Sequence, residues 1–302
     1  MASFVLAHLS DPHLAPLPTP RLFELAGKRI GGFINWQKRR RHFHRADVLE
    51  RIVADLKQQH VDHIAVTGDL INLSLAAEFA PARAFLARLG PPQDVTLVPG
   101  NHDTYVWSKW RHPQLHWADY MRGDTSADAT PQFPFVRRRG PLALIGVTTA
   151  VPTLPFQATG RLGAAQLARL AALLDEHADT FRVVLIHHPP QTKSEWRSRR
   201  LIDGNAFIAV LKQHGAELVL HGHEHFDVIR WFETPRGKVA AVGVPSASGT
   251  VGWKYDSAAY NLYAIEGRGG AWRCEMIVRG LNGEGTRIVE RRRMMLTGGG
   301  RV

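Results

Sequence analysis

Residues 94–103 read DVTLVPGNHD, an apolar run of strand type that stops at a Pro-Gly turn and leads into Asn101, His102 and Asp103. A buried strand followed at once by polar residues is the pattern of a parallel-sheet protein whose site lies at the strand ends. The same pattern recurs, because further apolar runs at 4–9, 63–67, 142–147, 182–186 and 217–220 mostly end at Asp, His or Gly-Asp.

Helical spacing of apolar residues fills the connections between these runs. Beyond residue 225 the runs alternate or are joined by glycine-rich connections, which indicates antiparallel hairpins. We therefore predict an α/β fold with a β-rich last third. The predicted helices are 46–60, 78–89, 164–177 and 205–214, and the late strands are 228–232, 239–244, 260–265 and 272–278.

Domain organisation follows from where this alternation breaks. Residues 16–45, 104–134 and 191–200 interrupt it directly after polar strand ends, so we interpret them as inserts that form walls or lids of the site. We predict one domain over residues 1–280, and no internal repeat or linker divides it. Residues 281–302 form a basic Gly- and Arg-rich tail that we expect to fray.

Composition bounds the function without choosing it. The chain has 302 residues, 44% of them hydrophobic and 22% charged, which is typical of a globular protein. Its net charge of +11 attracts anions, which include phosphorylated metabolites, nucleic acid and anionic lipid. Cys274 is the single cysteine, which excludes an intramolecular disulfide.

Targeting and membrane signals are weak in this sequence. Its start lacks a basic segment before the apolar run, and no apolar stretch reaches the roughly 18 residues of a membrane span. We expect a cytoplasmic location, with any membrane contact peripheral and at the inner face of the membrane.

Five motifs in a fixed order carry the chemistry. They are Asp11-x-His13, Gly68-Asp69, Gly100-Asn101-His102-Asp103, His187 and Gly222-His223-x-His225. In this set and order, over residues 11–225, the chain resembles the calcineurin-like metallophosphoesterase family. The resemblance implies a four-layer α/β/β/α sandwich, with two mixed β-sheets flanked by helices and two metal ions at the strand ends.

The resemblance also implies a role for each motif residue. Two divalent ions roughly 3.5–4 Å apart acidify a bridging water to hydroxide and clamp the phosphoryl oxygens. Ligands of Asp, Asn and His type suit Mn²⁺, Fe²⁺/Fe³⁺ or Zn²⁺ without choosing among them. The implied ligands are Asp69 as the bridge, Asp11, His13 and His225 for one ion, and Asn101, His187 and His223 for the other.

His102 is implied as the catalytic group that contacts the phosphate and protonates the leaving oxygen, with Asp103 or a neighbour orienting its imidazole. His187 and His188 are adjacent and point to opposite sides of a strand, so only one ligates easily, and the family pattern selects His187. His221 receives no metal in that pattern, and we interpret it as a supporting or packing residue.

Residues 35–45, NWQKRRRHFHR, are the most basic and aromatic part of the first insert. Cations mixed with many aliphatic residues suit a bilayer interface or an amphiphilic phosphate ester. We predict Trp36, Arg39 and Arg40 as substrate contacts beside Asn101 and His102. A lid, a membrane-contact segment over 21–45 and a packed helical hairpin with a basic outer face all remain open.

Other basic and aromatic groups are interpreted more simply. Arg197, Arg199 and Arg200 are expected on a solvated face. Trp253 and Tyr255 belong either to the last sheet or to a dimer interface, and the sequence does not indicate the oligomeric state.

The sequence as a whole predicts a metal-dependent phosphohydrolase that uses a metal-bridging hydroxide. A phosphodiesterase or pyrophosphatase acting on an amphiphilic or lipid-linked phosphate ester is favoured. The alternatives are a cyclic-nucleotide phosphodiesterase and a DNA nuclease with the same metal core. Nucleic acid is less favoured, because the insert is rich in aliphatic residues and no additional nucleic-acid-binding module is recognisable. A non-catalytic binding protein is disfavoured because every expected ligand type is present.

Overall fold

Two six-stranded sheets form the framework of the protein, which a computed structural model describes over residues 3–125, 130–191, 194–234 and 237–297. The first sheet has the order β12-β11-β10-β1-β2-β3 and the second β4-β5-β6-β7-β9-β8. The strands are β1 (Phe4–Leu9), β2 (His63–Val66), β3 (Val95–Leu97), β4 (Phe135–Arg139), β5 (Leu142–Gly146), β6 (Phe181–Leu185), β7 (Leu218–His221), β8 (Val228–Thr234), β9 (Gly237–Gly243), β10 (Ala259–Arg268), β11 (Ala271–Leu281) and β12 (Ile288–Thr297).

Both sheets are mixed, as predicted. In the first, β1, β2 and β3 run parallel while β10, β11 and β12 pair antiparallel. In the second, β5, β6, β7 and β9 run parallel, with antiparallel edge strands β4 and β8. The apolar faces of both sheets share one core cluster, to which Leu6 and Leu220 contribute. The lone cysteine, Cys274, is buried in that core.

Helices cover the outer faces of the sheets and complete the four layers. Residues Val48, Leu49, Ile52 and Val53 recur at helical spacing on α3 and are all buried. The helices are α1 (Lys28–Asn35), α2 (Arg41–Phe43), α3 (Ala46–Leu56), α4 (Ala76–Leu89), α5 (His112–His116), α6 (Ala164–Glu176) and α7 (Gly204–His214).

The two sheets are joined where the parallel strands end. Ala247 N donates to Ser10 O at 2.9 Å, and His223 N donates to Asp11 Oδ2 at 3.0 Å. Loops from both sheets therefore meet at one edge of the sandwich, which is where the polar motifs lie.

The first insert is helical and packs onto this edge. After α1, a π-helical turn over Trp36–Arg40 continues into α2. Arg29 is buried and donates from Nε to Leu73 O at 2.9 Å, and Lys28 donates from Nζ to Thr153 Oγ1 at 2.6 Å. The insert is thus anchored in the protein by its own cations.

The expectation of a fraying tail was wrong for residues 288–297. This segment is β12, whose Arg292 pairs with Val278 of β11 along the strand register. Leu296 is buried and Met294 packs against the core, so apolar residues that follow the arginines hold the strand. The remaining tail residues, 298–302, lie outside the described residues.

The second insert, 104–134, divides into a buried and an exposed part. Trp117 and Tyr120 are buried in the core, whereas Trp107 and Trp110 are exposed. Residues 126–129 of this insert lie outside the described residues. Within the described ranges, no helix has the length and apolar character needed to cross a bilayer.

Candidate metal centre

Seven side chains of ligand type meet at the edge where the parallel strands end. Loops that follow β1, β2, β3, β6 and β7 carry them, and all but His225 are buried. The structure therefore brings together every residue that the sequence predicted as a metal ligand. They are Asp11, His13, Asp69, Asn101, His187, His223 and His225.

Asp11, His13 and His225 form the first cluster. One ligand atom from each side chain lies within 4.8 Å of the others. His225 Nε2 is 3.1 Å from Asp11 Oδ1, and His13 Nε2 is 3.8 Å from the same oxygen. A carboxylate with two imidazoles is a donor set that suits a divalent transition metal.

Asp69, His187 and His223 form the second cluster, again with ligand atoms within 4.8 Å of one another. His187 Nε2 is 3.4 Å from Asp69 Oδ2 and 3.3 Å from His223 Nδ1. Asn101 adds an amide oxygen, since its Oδ1 lies 3.1 Å from His187 Nε2.

Asp69 faces both clusters with one oxygen. Its Oδ2 is 3.7 Å from His13 Nε2 in the first cluster and 3.4 Å from His187 Nε2 in the second. Its other oxygen, Oδ1, accepts the backbone N–H of His102 at 2.7 Å, which fixes the carboxylate plane. This is the position that a carboxylate bridging two ions requires.

Backbone carbonyls orient the imidazoles from outside. Thr67 O lies 2.6 Å from His187 Nδ1, and Arg199 O lies 2.9 Å from His223 Nε2. A ring nitrogen that donates its N–H to a carbonyl leaves the opposite nitrogen as an acceptor, here directed into the second cluster.

Five residues of the centre have positive φ angles, a left-handed backbone conformation that residues other than glycine rarely adopt. Such left-handed residues cost about 1–3 kcal/mol each and concentrate at functional sites. Neighbouring loops hold them in place, since Asp11 N donates to Gly68 O at 2.9 Å. The positive φ angles are 53° at Asp11, 38° at His13, 54° at Asp69, 71° at His223 and 59° at His225.

Two motif glycines are needed for close approach. A β-carbon at Gly222 would overlap the Asp11 carboxylate, and one at Gly100 would overlap the side chain of Asp69. Each glycine therefore lets a loop of one cluster pass directly against a carboxylate.

His102 lies beside the clusters with its ring held on two sides. Asn72 O is 2.6 Å from Nδ1, and the Tyr105 ring stacks at 5.2 Å between centroids. Burial, together with the guanidinium of Arg40, lowers the pKa of His102 to about 3.

Asp103 does not contact the His102 imidazole in this structure, and Asn72 and Tyr105 orient that ring instead. The Asp103 oxygens accept backbone N–H groups of Gly100 at 2.8 Å, Asp69 at 2.9 Å and Ile71 at 3.2 Å. Burial and the neighbouring Asp69 carboxylate raise the pKa of Asp103 to about 8. Asp103 therefore ties two loops of the centre together.

The first insert reaches the centre through Arg40. Its Nη2 lies 2.8 Å from His13 Nδ1 and its Nη1 lies 3.1 Å from His102 Nε2. Arg39 lines the same cleft. Trp36 is buried beneath the insert and stacks on His44 with ring centroids 6.4 Å apart, so its position does not support the predicted substrate contact.

Two other histidines are occupied elsewhere. His188 Nδ1 lies 2.7 Å from Thr149 Oγ1 and its Nε2 lies 3.0 Å from Ala158 O. His221 is buried with Nδ1 3.2 Å from Gly222 O. Both positions agree with the sequence-based choice of His187 and His223.

A cleft of about 1200 Å³ opens above the two clusters. Two of its lining residues, Lys28 and Arg199, belong to inserts that the sequence placed beside the site. Four others belong to loops that sequence reasoning did not assign to the site, because no strand-end motif marks them. They are Phe156, Trp253, Lys254 and Tyr255.

Comparison with known proteins gives this centre a family. Residues 4–227, more than half of the chain, match the family described as calcineurin-like phosphoesterase. The chain belongs to the calcineurin-like phosphoesterase family. Phosphoesterases of this family depend on two metal ions, and the two clusters supply suitable donors for a pair within the described residues.

A curated phosphoesterase relative is similar over part of the chain. Glycerophosphodiester phosphodiesterase GpdQ of Enterobacter lignolyticus (strain SCF1) is 26% identical over 190 residues, which are 62% of this chain and 57% of that protein. The match therefore spans little more than half of the relative's length.

Solved structures share the calcineurin-like phosphoesterase fold. Purple acid phosphatase PPD1 from yellow lupin (Lupinus luteus) seeds superposes with a TM-score of 0.59 at 12% identity, covering 96% of this chain and 53% of that one. GAP50 of Plasmodium gives 0.51 at 14% identity, covering 96% and 89%. Likeness at this identity shows the fold alone.

Proposed function

We propose that this protein is a two-metal phosphodiesterase that acts on amphiphilic phosphodiesters. The observation that carries the proposal is Asp69 Oδ2, which faces His13 of one cluster and His187 of the other. The proposed ligands are Asp11, His13 and His225 for one ion, Asn101, His187 and His223 for the second, and Asp69 for both.

The donor set fits Mn²⁺, iron or Zn²⁺, because it combines imidazoles with carboxylate and amide oxygens and contains no thiolate. A bound pair of such ions makes water nucleophilic near neutral pH and neutralises charge on phosphoryl oxygens. The residues of the chain must then position the ester, stabilise its negative charge and supply a proton to the leaving group.

Arg40 and His102 are the proposed groups for these tasks. Arg40 presents its guanidinium 3.1 Å from His102 Nε2, so both can reach one phosphoryl group above the clusters. His102 Nε2 lies on the cleft side, since Nδ1 faces Asn72 O. The negative charge of a bound phosphate ester favours the protonated imidazole, and we assign this imidazolium the proton transfer from Nε2 to the leaving oxygen.

The walls of the cleft support a diester with an apolar part. Ile30, Phe156 and Trp253 line it and are exposed, and Phe156 leaves 95% of its side chain accessible. A monoester would leave these walls uncovered, whereas a second, apolar ester group would bury them. The activity for which the GpdQ relative is named, on glycerophosphodiesters, also supports a diester.

Peripheral contact with a membrane through residues 21–45 is part of this proposal. Leu22 and Phe23 leave 91% and 72% of their side chains exposed beside the cations of the insert. Side chains of this mixture bind at the interface of an anionic bilayer. The cytoplasmic location expected from the sequence stays a prediction.

Turnover of bis(p-nitrophenyl) phosphate by metal-stripped protein resupplied with Mn²⁺ tests the proposed function. We expect metal-dependent cleavage of this diester that exceeds cleavage of p-nitrophenyl phosphate and is lost in Asn101→Ala and His102→Ala.

The matched control is His60→Asn, because His60 is exposed between α3 and β2 at the opposite edge and has a φ of 49° that asparagine tolerates. A faster reaction with the monoester, or full activity in His102→Ala, would contradict the proposal.

A further inference from the structure

Two cations that do not belong to the first insert line the cleft. Arg199 belongs to the turn that follows the paired histidines, and Lys254 belongs to the loop before β10. The sequence placed Arg199 on a solvated face, but its carbonyl oxygen lies 2.9 Å from His223 Nε2. Residue 199 is therefore tied directly to the second cluster.

Tyr255 brings the two cations together. Arg199 Nη1 donates to Tyr255 Oη at 3.4 Å, and Lys254 Nζ lies 4.9 Å from the centroid of the Tyr255 ring. The same ring is 5.4 Å from that of His225 and 5.5 Å from that of Phe43. Arg199, Lys254 and Tyr255, which we call the cationic wall, thus lie next to the first cluster.

The charge of the cationic wall is not balanced by acidic residues. Among the described residues that line the cleft, Asp69 is the sole carboxylate, and its Oδ2 faces His13 and His187 of the two clusters. Neither Arg199 nor Lys254 forms an ion pair with a carboxylate of the described part of the chain. A cleft with this unpaired positive charge attracts a further anionic group.

We propose that Arg199, Lys254 and Tyr255 form a second anion subsite. It would bind a carboxylate or phosphate that the substrate carries a short distance from the scissile diester. The inference rests on the proposed function and narrows its substrate class to phosphodiesters with two negatively charged groups and an apolar portion.

Three features of these residues suit the binding of an anion. The guanidinium supplies several N–H donors and the ammonium three, so an anion can accept from both. The phenol of Tyr255 supplies a further hydroxyl. Packing of its ring against Phe43 and His225 fixes the subsite relative to the clusters.

A pair of diesters with the same leaving group tests the subsite. The probes are p-nitrophenyl 3-carboxypropyl phosphate and its methyl ester, which differ by one negative charge and share the released p-nitrophenolate. We expect the protein loaded with Mn²⁺ to have a KM for the carboxylate about fivefold to tenfold below that for the methyl ester. Arg199→Ala and Lys254→Ala should each move this KM ratio towards one.

The control variant is Arg268→Ala. Arg268 is exposed at the far end of β10, away from the strand ends that carry the clusters, and should keep the ratio of the unaltered protein. A similar KM for both probes in the unaltered protein, or an unchanged ratio in Arg199→Ala and Lys254→Ala, would overturn the subsite while leaving the diesterase intact. If the protein cleaves neither probe, the proposed function is contradicted, and the subsite falls with it.

Discussion

Neighbouring residues 102 and 103 have opposite surroundings. The His102 ring faces the cleft next to Arg40, whereas the Asp103 carboxylate accepts three backbone N–H groups from two loops. Family resemblance alone groups them as one catalytic pair. Their contacts separate them into a residue that we propose to meet the substrate and a residue that holds the loops.

Asp103→Ala is expected to act on stability first. The change leaves the buried N–H groups of Asp69, Gly100 and Ile71 without an acceptor, so we expect the free energy of unfolding to fall by about 2–4 kcal/mol. Urea denaturation of the metal-free protein measures this. Asp103→Asn, which keeps an acceptor oxygen, should lose less, and an Asp103→Ala protein of unaltered stability would contradict the assignment.

Arg40→Ala tests the role of the insert arginine. Loss of a charge-assisted contact with the phosphoryl group should reduce kcat/KM for bis(p-nitrophenyl) phosphate by about 10- to 100-fold. Arg40→Lys keeps the charge without the planar donor pair, so its kcat/KM should lie between that of the unaltered protein and that of Arg40→Ala. Arg41→Ala, whose side chain is exposed and bonds to Gln37, is the matched control. Equal activity of both alanine variants would refute the role.

The individual residues of the strand-end motifs could be predicted from the sequence, because each motif lies where an apolar run ends. Tyr255 could not be predicted as a cleft residue, since the path of its loop depends on the whole fold. The insert that carries Arg199 was predicted beside the site, but Arg199 itself was expected on a solvated face. The left-handed φ values at Asp11 and His225 were equally hidden, because aspartate and histidine adopt many backbone conformations.

Among the elements, the insert over residues 16–45 combines two of the alternatives that the sequence left open. Its helices pack on the protein through Arg29 and Phe43, and Arg40 on its inner face reaches His102. Its outer edge leaves Leu22 and Phe23 exposed, which gives the membrane proposal a local test.

Replacing these two residues by serine should weaken binding to lipid vesicles. We expect Leu22→Ser/Phe23→Ser to release most of the protein from vesicles containing anionic phosphatidylglycerol, with turnover of bis(p-nitrophenyl) phosphate unchanged. Vesicle sedimentation measures the bound fraction. Trp231→Ser, on edge strand β8 of the second sheet, is the control and should stay bound. Equal binding of all three proteins would rule out contact through the insert.

Strands with a continuous apolar run were predicted to within a few residues, as β6 and β7 show. β4 and β12 were missed because their arginines suppress the apolar signal that marks a strand. In β4, Arg137 is buried and donates from Nε to Arg122 O and from Nη1 to Val95 O. Backbone carbonyls therefore accept hydrogen bonds from a charged side chain that composition alone would place in solvent.

On the scale of the molecule, each metal cluster draws on both sheets. Asp11 and His13 follow β1 of the first sheet, while His225 follows β7 of the second. The second cluster likewise joins Asp69 to His187 across the sandwich. Ions held here would therefore link the two sheets, and their binding energy would add to the stability of the folded state.

Metal removal should consequently destabilise the whole protein. At a free Mn²⁺ concentration about 100 times the dissociation constant, a single site adds about 2.7 kcal/mol to the free energy of unfolding. We expect chelation to lower the midpoint of thermal unfolding, and His225→Ala to show a smaller response to Mn²⁺. Identical midpoints with and without the metal would mean that the clusters bind no ion.

The central claim is that Asp69 serves two metal sites that together cleave a phosphodiester. The most direct measurement is a titration of metal-stripped protein with Mn²⁺, following bound metal by elemental analysis and bis(p-nitrophenyl) phosphate turnover in the same samples. We predict two ions per chain, turnover that reaches its maximum only with the second ion, and weakened binding of both ions in Asp69→Asn. A single bound ion at full activity, or two tightly bound ions in Asp69→Asn, would contradict it.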